Sequence, residues 1–126
     1  MLLAFVVTSL LGFTLTGCKD DVVLPFVSGT TEVTDITETT ATSGGDILVS
    51  YKAAITERGI CWSVRENPTI NDSVARVKVG SELGIGYFTC MMKNLIPNTT
   101  YYVRAFAVNS DGVGYGNIVS FKTNKR

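Results

Sequence analysis

The chain has 126 residues with 11 basic and 11 acidic side chains, so its formal net charge at neutral pH is zero. A chain of this length holds one small domain, and its balanced charge argues against binding to nucleic acid, which needs a basic surface. It contains no histidine, which removes the commonest general base and a main zinc ligand. Catalysis by a Ser-His-Asp or Cys-His arrangement is therefore excluded.

Residues 1–17 are apolar apart from a few Ser and Thr residues, and they end directly before Cys18. The segment is shorter than the roughly 20 residues of a membrane-spanning helix and suits the core of a signal peptide. No Lys or Arg precedes the apolar run, although signal peptides normally begin with positive charge. A lipoprotein signal, an ordinary secretory signal and a buried structural segment are the three interpretations. The first two remove residues 1–17 from the folded domain.

The run Leu15-Thr16-Gly17-Cys18 resembles a bacterial lipobox, in which small residues precede a cysteine that becomes lipidated. The resemblance implies that a diacylglycerol is attached to the Cys18 thiol and that cleavage makes Cys18 the first residue of the mature chain. The partner implied is a membrane, reached through this N-terminal lipid.

The next residues, Lys19-Asp20-Asp21, resemble the acidic export signal of surface lipoproteins in gut-type Gram-negative anaerobes. This resemblance implies an outer-membrane protein that faces the cell exterior, and an ordinary polar linker is the alternative. Residues 18–29 show little periodicity and contain Pro25 and Gly29, so we expect a flexible tether there. The folded domain is then expected over residues 30–126.

The chain from residue 30 onward has the pattern of strands. Apolar and polar residues alternate in places, most clearly along β-rich segments such as residues 101–108. Breakers such as Asn67-Pro68, Pro97-Asn98 and Asp111-Gly112 separate these segments at intervals of about 8–12 residues, which is typical of an all-β sandwich. The predicted strands are 31–36, 40–50, 54–63, 74–79, 86–93, 99–109 and 114–123.

The run Leu95-Ile96-Pro97-Asn98-Thr99-Thr100-Tyr101 resembles the approach to strand F of a fibronectin type III domain. Further segments are similar to bacterial modules of that kind, among them Gly59-Ile60-Cys61-Trp62 and Asn109-Ser110-Asp111-Gly112. The resemblance covers about residues 30–123. It implies a seven-stranded immunoglobulin-like antiparallel β-sandwich in which the Tyr101 hydroxyl bonds to the backbone near Leu95.

One departure from the eukaryotic pattern is Ser43-Gly44-Gly45 in strand B, where a tryptophan is usual. Trp62 on strand C then fills the core from the other sheet. Alternation predicts a set of inward-facing core residues: Ile60, Trp62, Phe88, Met92, Leu95, Tyr101, Val103, Ala105, Val119 and Phe121. It places Cys61 outward and Cys90 inward, so a disulfide between them is not expected, because the two sulfur atoms would lie on opposite faces.

We find no catalytic or cofactor motif. Residues 80–86 contain glycine but lack the Gly-Lys-Ser/Thr of a phosphate-binding loop. Asn71 and Asp72 are too few for calcium, which takes 6–8 oxygen ligands. The expectation is a protein that is not an enzyme and holds no cofactor or metal.

Two features could carry binding. Tyr102, Arg104 and Phe106 alternate on strand F beside Tyr115 of strand G, and aromatic residues with Arg are enriched at interfaces. Aromatic residues also favour any pleated surface, so a purely structural role is the alternative. Ser73 lies in Asp72-Ser73-Val74, which resembles an O-glycosylation site of those same anaerobes.

The sequence therefore predicts a membrane-anchored lipoprotein with one β-sandwich module for adhesion, display or spacing. The alternative is an accessory binding lipoprotein of a polysaccharide-uptake system, so the partner would be a surface protein or a glycan. An exposed aromatic platform beside polar groups would favour the glycan, because a spacer needs none.

Overall fold

A computed structural model describes residues 22–49, 54–79 and 84–126. Within these ranges the chain forms strands and turns, and it has no helix long and apolar enough to cross a membrane. The strands are β1 (Phe26–Thr30), β2 (Ala41–Val49), β3 (Glu57–Ser63), β4 (Ser73–Val77), β5 (Gly86–Met92), β6 (Thr100–Asn109), β7 (Gly112–Tyr115) and β8 (Val119–Lys122).

The strands form two sheets that pack face to face. The small sheet has the order β1-β2-β5, and the large sheet has the order β4-β3-β6-β7, with β8 also paired to β6. All pairs are antiparallel. The predicted immunoglobulin-like sandwich is confirmed. The eighth strand arises because the predicted last strand, 114–123, is interrupted at residues 116–118.

The core lies between the two sheets and contains the residues that alternation placed there. The predicted residues are buried apart from Val119, which is partly buried against the core. Prediction missed several further core members: Val27, Ala41, Ile47, Ile55 and Ala107. The two sheets approach closely at Gly45, since a Cβ there would come within 2.4 Å of the Ala105 Cβ.

The start of the domain differs from the prediction. Residues 26–29 were expected in a flexible tether, but together with Thr30 they form β1, which pairs with β2 and buries Val27. The register shifts between Phe26 and Val27 and again between Val27 and Gly29. Such irregularities break the period-2 pattern by which a strand is recognised. The strand predicted at 31–36 is wrong, since that segment contributes only an isolated bridge between Thr34 and Thr42.

The predicted tyrosine corner is confirmed. The backbone N–H of Ile96 donates a hydrogen bond of 2.9 Å to the Tyr101 hydroxyl oxygen. The Tyr101 ring stacks on Phe121, with 5.8 Å between ring centroids. One side chain thus joins the loop before β6 to the start of that strand and to β8.

Candidate functional site

The residues predicted to anchor and export the protein, Cys18, Lys19, Asp20 and Asp21, lie outside the described residues. Their roles stay predictions. The other predicted site residues lie on the outer face of the large sheet or at its edge.

The structure brings Tyr102, Arg104, Phe106 and Tyr115 together on the outer face of the large sheet. Phe106 pairs with Tyr115 across β6 and β7, and the Arg104 guanidinium carbon lies 3.9 Å from the centroid of the Tyr115 ring. Phe106, however, has 0% of its surface exposed. The expectation that Phe106 is available to a partner is therefore wrong. Tyr102 is half-buried, and its part in a partner surface stays a prediction.

The cover over this face is the connection between β3 and β4, residues 64–72. Arg104 Nε donates a hydrogen bond of 2.8 Å to the Pro68 carbonyl oxygen. The Ile70 N–H donates one of 3.1 Å to the Tyr115 hydroxyl oxygen. Phe106 also pairs with Gly59 of β3. We call this second apolar cluster, formed by Cys61, Pro68, Phe106 and Tyr115, the outer layer.

The connection is held in shape by Asp72. Its carboxylate forms an ion pair of 2.6 Å with Arg65 and accepts a hydrogen bond of 2.8 Å from the Thr69 N–H. Among the described residues no three His, Cys, Asp or Glu side chains are placed to hold a metal ion. Ser73, the predicted O-glycosylation acceptor, is exposed and begins β4, and its modification stays a prediction.

Cys61 and Cys90 are free thiols, and Cys90 packs against the core between the sheets, as predicted. Cys61 lies on the outward side of β3 as predicted, yet it is fully buried, as are Pro68 and Phe106 of the same outer layer. Its sulfur lies 3.6 Å from the Arg104 carbonyl oxygen. Burial raises the pKa of each thiol to about 11. Both cysteines are therefore protonated and unreactive near neutral pH.

A groove on the small sheet was missed by the sequence analysis. It has a volume of about 280 Å³ and is lined by Ser28, Gly29, Thr30, Thr31, Asp46 and Tyr87. We call it the Tyr87 groove. Tyr87 is 81% exposed, the highest value for a large apolar or aromatic side chain in the described residues. Alternation with buried Phe88 could have placed Tyr87 outward, but the neighbours that make the groove come from β1, which sequence reasoning took for a tether.

A second groove, of about 320 Å³, lies between the edges of the two sheets. Its walls come from β3, β4 and the end of β5, and its lining includes Trp62, Ala75 and Met91. The sulfur of Cys90 in β5 lies 3.8 Å from the Ala75 carbonyl oxygen of β4, so the two sheets are in contact beside this groove.

Comparison with known proteins shows the fold and no more. The sensor domain of the anti-sigma factor RsgI4 in Pseudobacteroides cellulosolvens is 15% identical, with a TM-score of 0.58, over 84% of this chain and 100% of that one. The third fibronectin III domain of the human KIAA0343 protein is 22% identical, with a TM-score of 0.58, over 85% and 89%. The sixth fibronectin type III domain of human fibronectin type III domain containing protein 3 is 23% identical, with a TM-score of 0.55, over 85% and 92%.

No protein-family model and no curated protein matches the chain. The fold is that of a fibronectin type III-like module.

Proposed function

We propose that this chain is a lipid-anchored lipoprotein of the outer membrane, exposed at the cell surface, whose sandwich acts by contact in adhesion, display or spacing. The observation that carries the proposal is Cys18 in a lipobox-like run, followed within a few residues by the folded domain. The Val23 N–H already donates a hydrogen bond of 3.0 Å to Asp111, and Asn109 donates one of 2.9 Å to the Val23 carbonyl oxygen.

The short spacing between Cys18 and Val23 determines which end of the sandwich would face the membrane. Residues 19–22 reach at most about 14 Å even when fully extended. Val23 is bonded to the turn between β6 and β7, so that end of the sandwich would face the membrane. The connections 31–40, 64–72 and 93–99 lie at the opposite end, where they would face outward. A module held this close to the bilayer is suited to contact with whatever approaches the cell.

Action by contact is also supported by the burial of the apolar side chains and by the open form of the grooves. Buried apolar side chains form the core and the outer layer, and an ion pair of 2.9 Å joins Arg76 to Glu57 on the surface. The Tyr87 groove and the groove beside Trp62 are both open to solvent. A similar sandwich serves as the sensor domain of an anti-sigma factor.

The test of anchoring is metabolic labelling with a fatty acid in a host that processes lipoproteins. The Cys18→Ala variant should remain uncleaved and unlabelled. Cys90→Ala is the matched control, because it also removes a thiol but should keep the label. Label that persists in Cys18→Ala would overturn the lipid anchor.

The test of surface exposure is digestion by protease added to whole cells. The parent protein should be degraded, and joint replacement of Asp20 and Asp21 by Ala should protect it. The control replaces the exposed acidic residues Glu32 and Glu38 by Ala and should leave digestion unchanged. Equal digestion of all three proteins would remove the export role of Lys19-Asp20-Asp21.

Two smaller proposals concern single residues. Replacing Tyr102 by Ser should weaken attachment to a partner protein if the exposed part of that side chain takes part.

Mass spectrometry of the native protein should show a glycan that is lost in Ser73→Ala, since Ser73 is exposed in the Asp72-Ser73-Val74 run.

The second candidate function is an accessory binding lipoprotein in polysaccharide uptake. The observation that favours it is Tyr87, an exposed aromatic side chain flanked by Asp46, Ser28 and Thr31. This is the platform beside polar groups that a glycan-binding module requires and a spacer does not.

A further inference from the structure

Tyr87 is exposed to solvent, whereas most other aromatic side chains of this fold are buried or half-buried. Burying a large apolar side chain contributes stability, and Phe106 and Tyr115 are held in the outer layer. Tyr87 pairs with Asp46 across β5 and β2 and stands on the outer face of the small sheet with 81% of its surface exposed. Such a ring offers one flat apolar surface and one hydroxyl to a ligand.

The lining of the Tyr87 groove combines polar and apolar surface. Ser28 donates a hydrogen bond to Asp46, with its hydroxyl oxygen 3.2 Å from the Asp46 carbonyl oxygen and 3.3 Å from its carboxylate oxygen Oδ2. This contact holds the carboxylate beside β1. Gly29, Thr30 and Thr31 complete the lining.

The lining selects the chemistry of a ligand. Asp46 is the charged residue among the described lining residues, so an anion such as a phosphate would be repelled. A metal ion needs more ligands than one carboxylate provides. A purely apolar ligand would bury the Ser, Thr and Asp groups without hydrogen bonds, which is unfavourable. A neutral molecule with many hydroxyl groups and an apolar face satisfies both the ring and the polar wall.

We infer that the Tyr87 groove binds a neutral saccharide unit, with its apolar face stacked on the Tyr87 ring and its hydroxyl groups bonded to Asp46. The volume of about 280 Å³ lies just below the range of about 300–1,000 Å³ for drug-sized ligands, which suits a single sugar unit with the ends of a longer glycan in solvent. This inference deepens the second candidate function, and it does not depend on the lipid anchor.

The test is a titration of the isotopically labelled full chain, purified in detergent, followed through its backbone amide resonances. The probes are neutral gluco-, xylo-, manno- and galacto-oligosaccharides and an N-acetylated amino-sugar oligomer. A site for one sugar unit of about 12 non-hydrogen atoms binds in the millimolar range. At least one probe should shift the amides of residues 28–31, Asp46 and Tyr87 together.

Three variants decide the result. Tyr87→Ala should weaken saccharide binding by about tenfold or more, because the stacking contact with the ring is lost. Asp46→Asn should weaken binding severalfold. Met91→Ala is the matched control, because Met91 is 49% exposed on the same strand and lies outside this groove, so binding should be unchanged.

The inference is overturned if no probe shifts these amides, or if the shifts survive in Tyr87→Ala. It is also overturned if lipid vesicles, and no saccharide, shift them, which would assign this face to the membrane. A negative saccharide titration does not affect the result of the labelling test of Cys18. A protein that is lipidated but binds no saccharide would keep the first proposed function, in adhesion, display or spacing, and lose the second.

Discussion

Phe106→Ala tests whether the outer layer is a real part of the folded domain. Phe106 is fully buried, although it points away from the core between the sheets. Removing a buried Phe side chain costs about 3–5 kcal/mol. Since residues 64–72 form a connection that can partly collapse, we expect about 3 kcal/mol. For a domain of this size that loss lowers the melting temperature by roughly 12–24 °C.

The assay is urea and thermal unfolding followed by circular dichroism. Phe26→Ala is the matched control, because Phe26 is 53% exposed and its replacement should cost about 1 kcal/mol or less. A second measurement is the rate of alkylation of Cys61, which should rise in Phe106→Ala as the outer layer loosens. The reasoning is refuted if Phe106→Ala is no more destabilising than Phe26→Ala, since the face would then be open to solvent.

Three further predictions concern stability. Tyr101→Phe removes the acceptor of a backbone N–H and should lower the free energy of unfolding by about 0.5–1.5 kcal/mol; an unchanged urea midpoint would contradict the tyrosine corner. Gly45→Ala brings a Cβ within 2.4 Å of the Ala105 Cβ and should cost about 1–3 kcal/mol through overpacking. The added change Ala105→Gly should restore part of that loss, and strict additivity of the two changes would argue against close approach of the sheets. The thiols of Cys61 and Cys90 have pKa values of about 11 when folded, against a model-compound value of 9.0. The unfolded chain loses these protons first as pH rises, so the free energy of unfolding should fall between pH 9 and 11. Replacing both cysteines by Ala should reduce that slope, and an unaltered slope would assign it to other groups.

The tyrosine corner and the inner core were predictable because each depends on short-range pattern. The step from Leu95 to Tyr101 lies within one segment of chain, and alternation fixes which side of a strand faces the other sheet. Ile60, Met92 and Val103 were assigned to the core on that basis and are buried. The first strand was missed because its bulges hide the alternation around Val27 and Gly29.

The candidate sites depended more heavily on long-range contacts. Arg104 and Tyr115 were correctly placed on one outward face, yet their partners are Pro68 and Ile70, from a connection whose path the sequence does not reveal. Tyr87 was not singled out, since its groove needs β1 beside β2.

The sequence by itself determined the all-β sandwich, the inward face of strands such as β3 and β6, the tyrosine corner and the lipobox-like run at Cys18, because these depend on spacings of a few residues. Only the tertiary structure decided that Phe106 is covered and that Tyr87 is left exposed. The physical reason is that a period of two residues specifies the side of a sheet on which a side chain lies, while its exposure depends on which distant segment packs over that side.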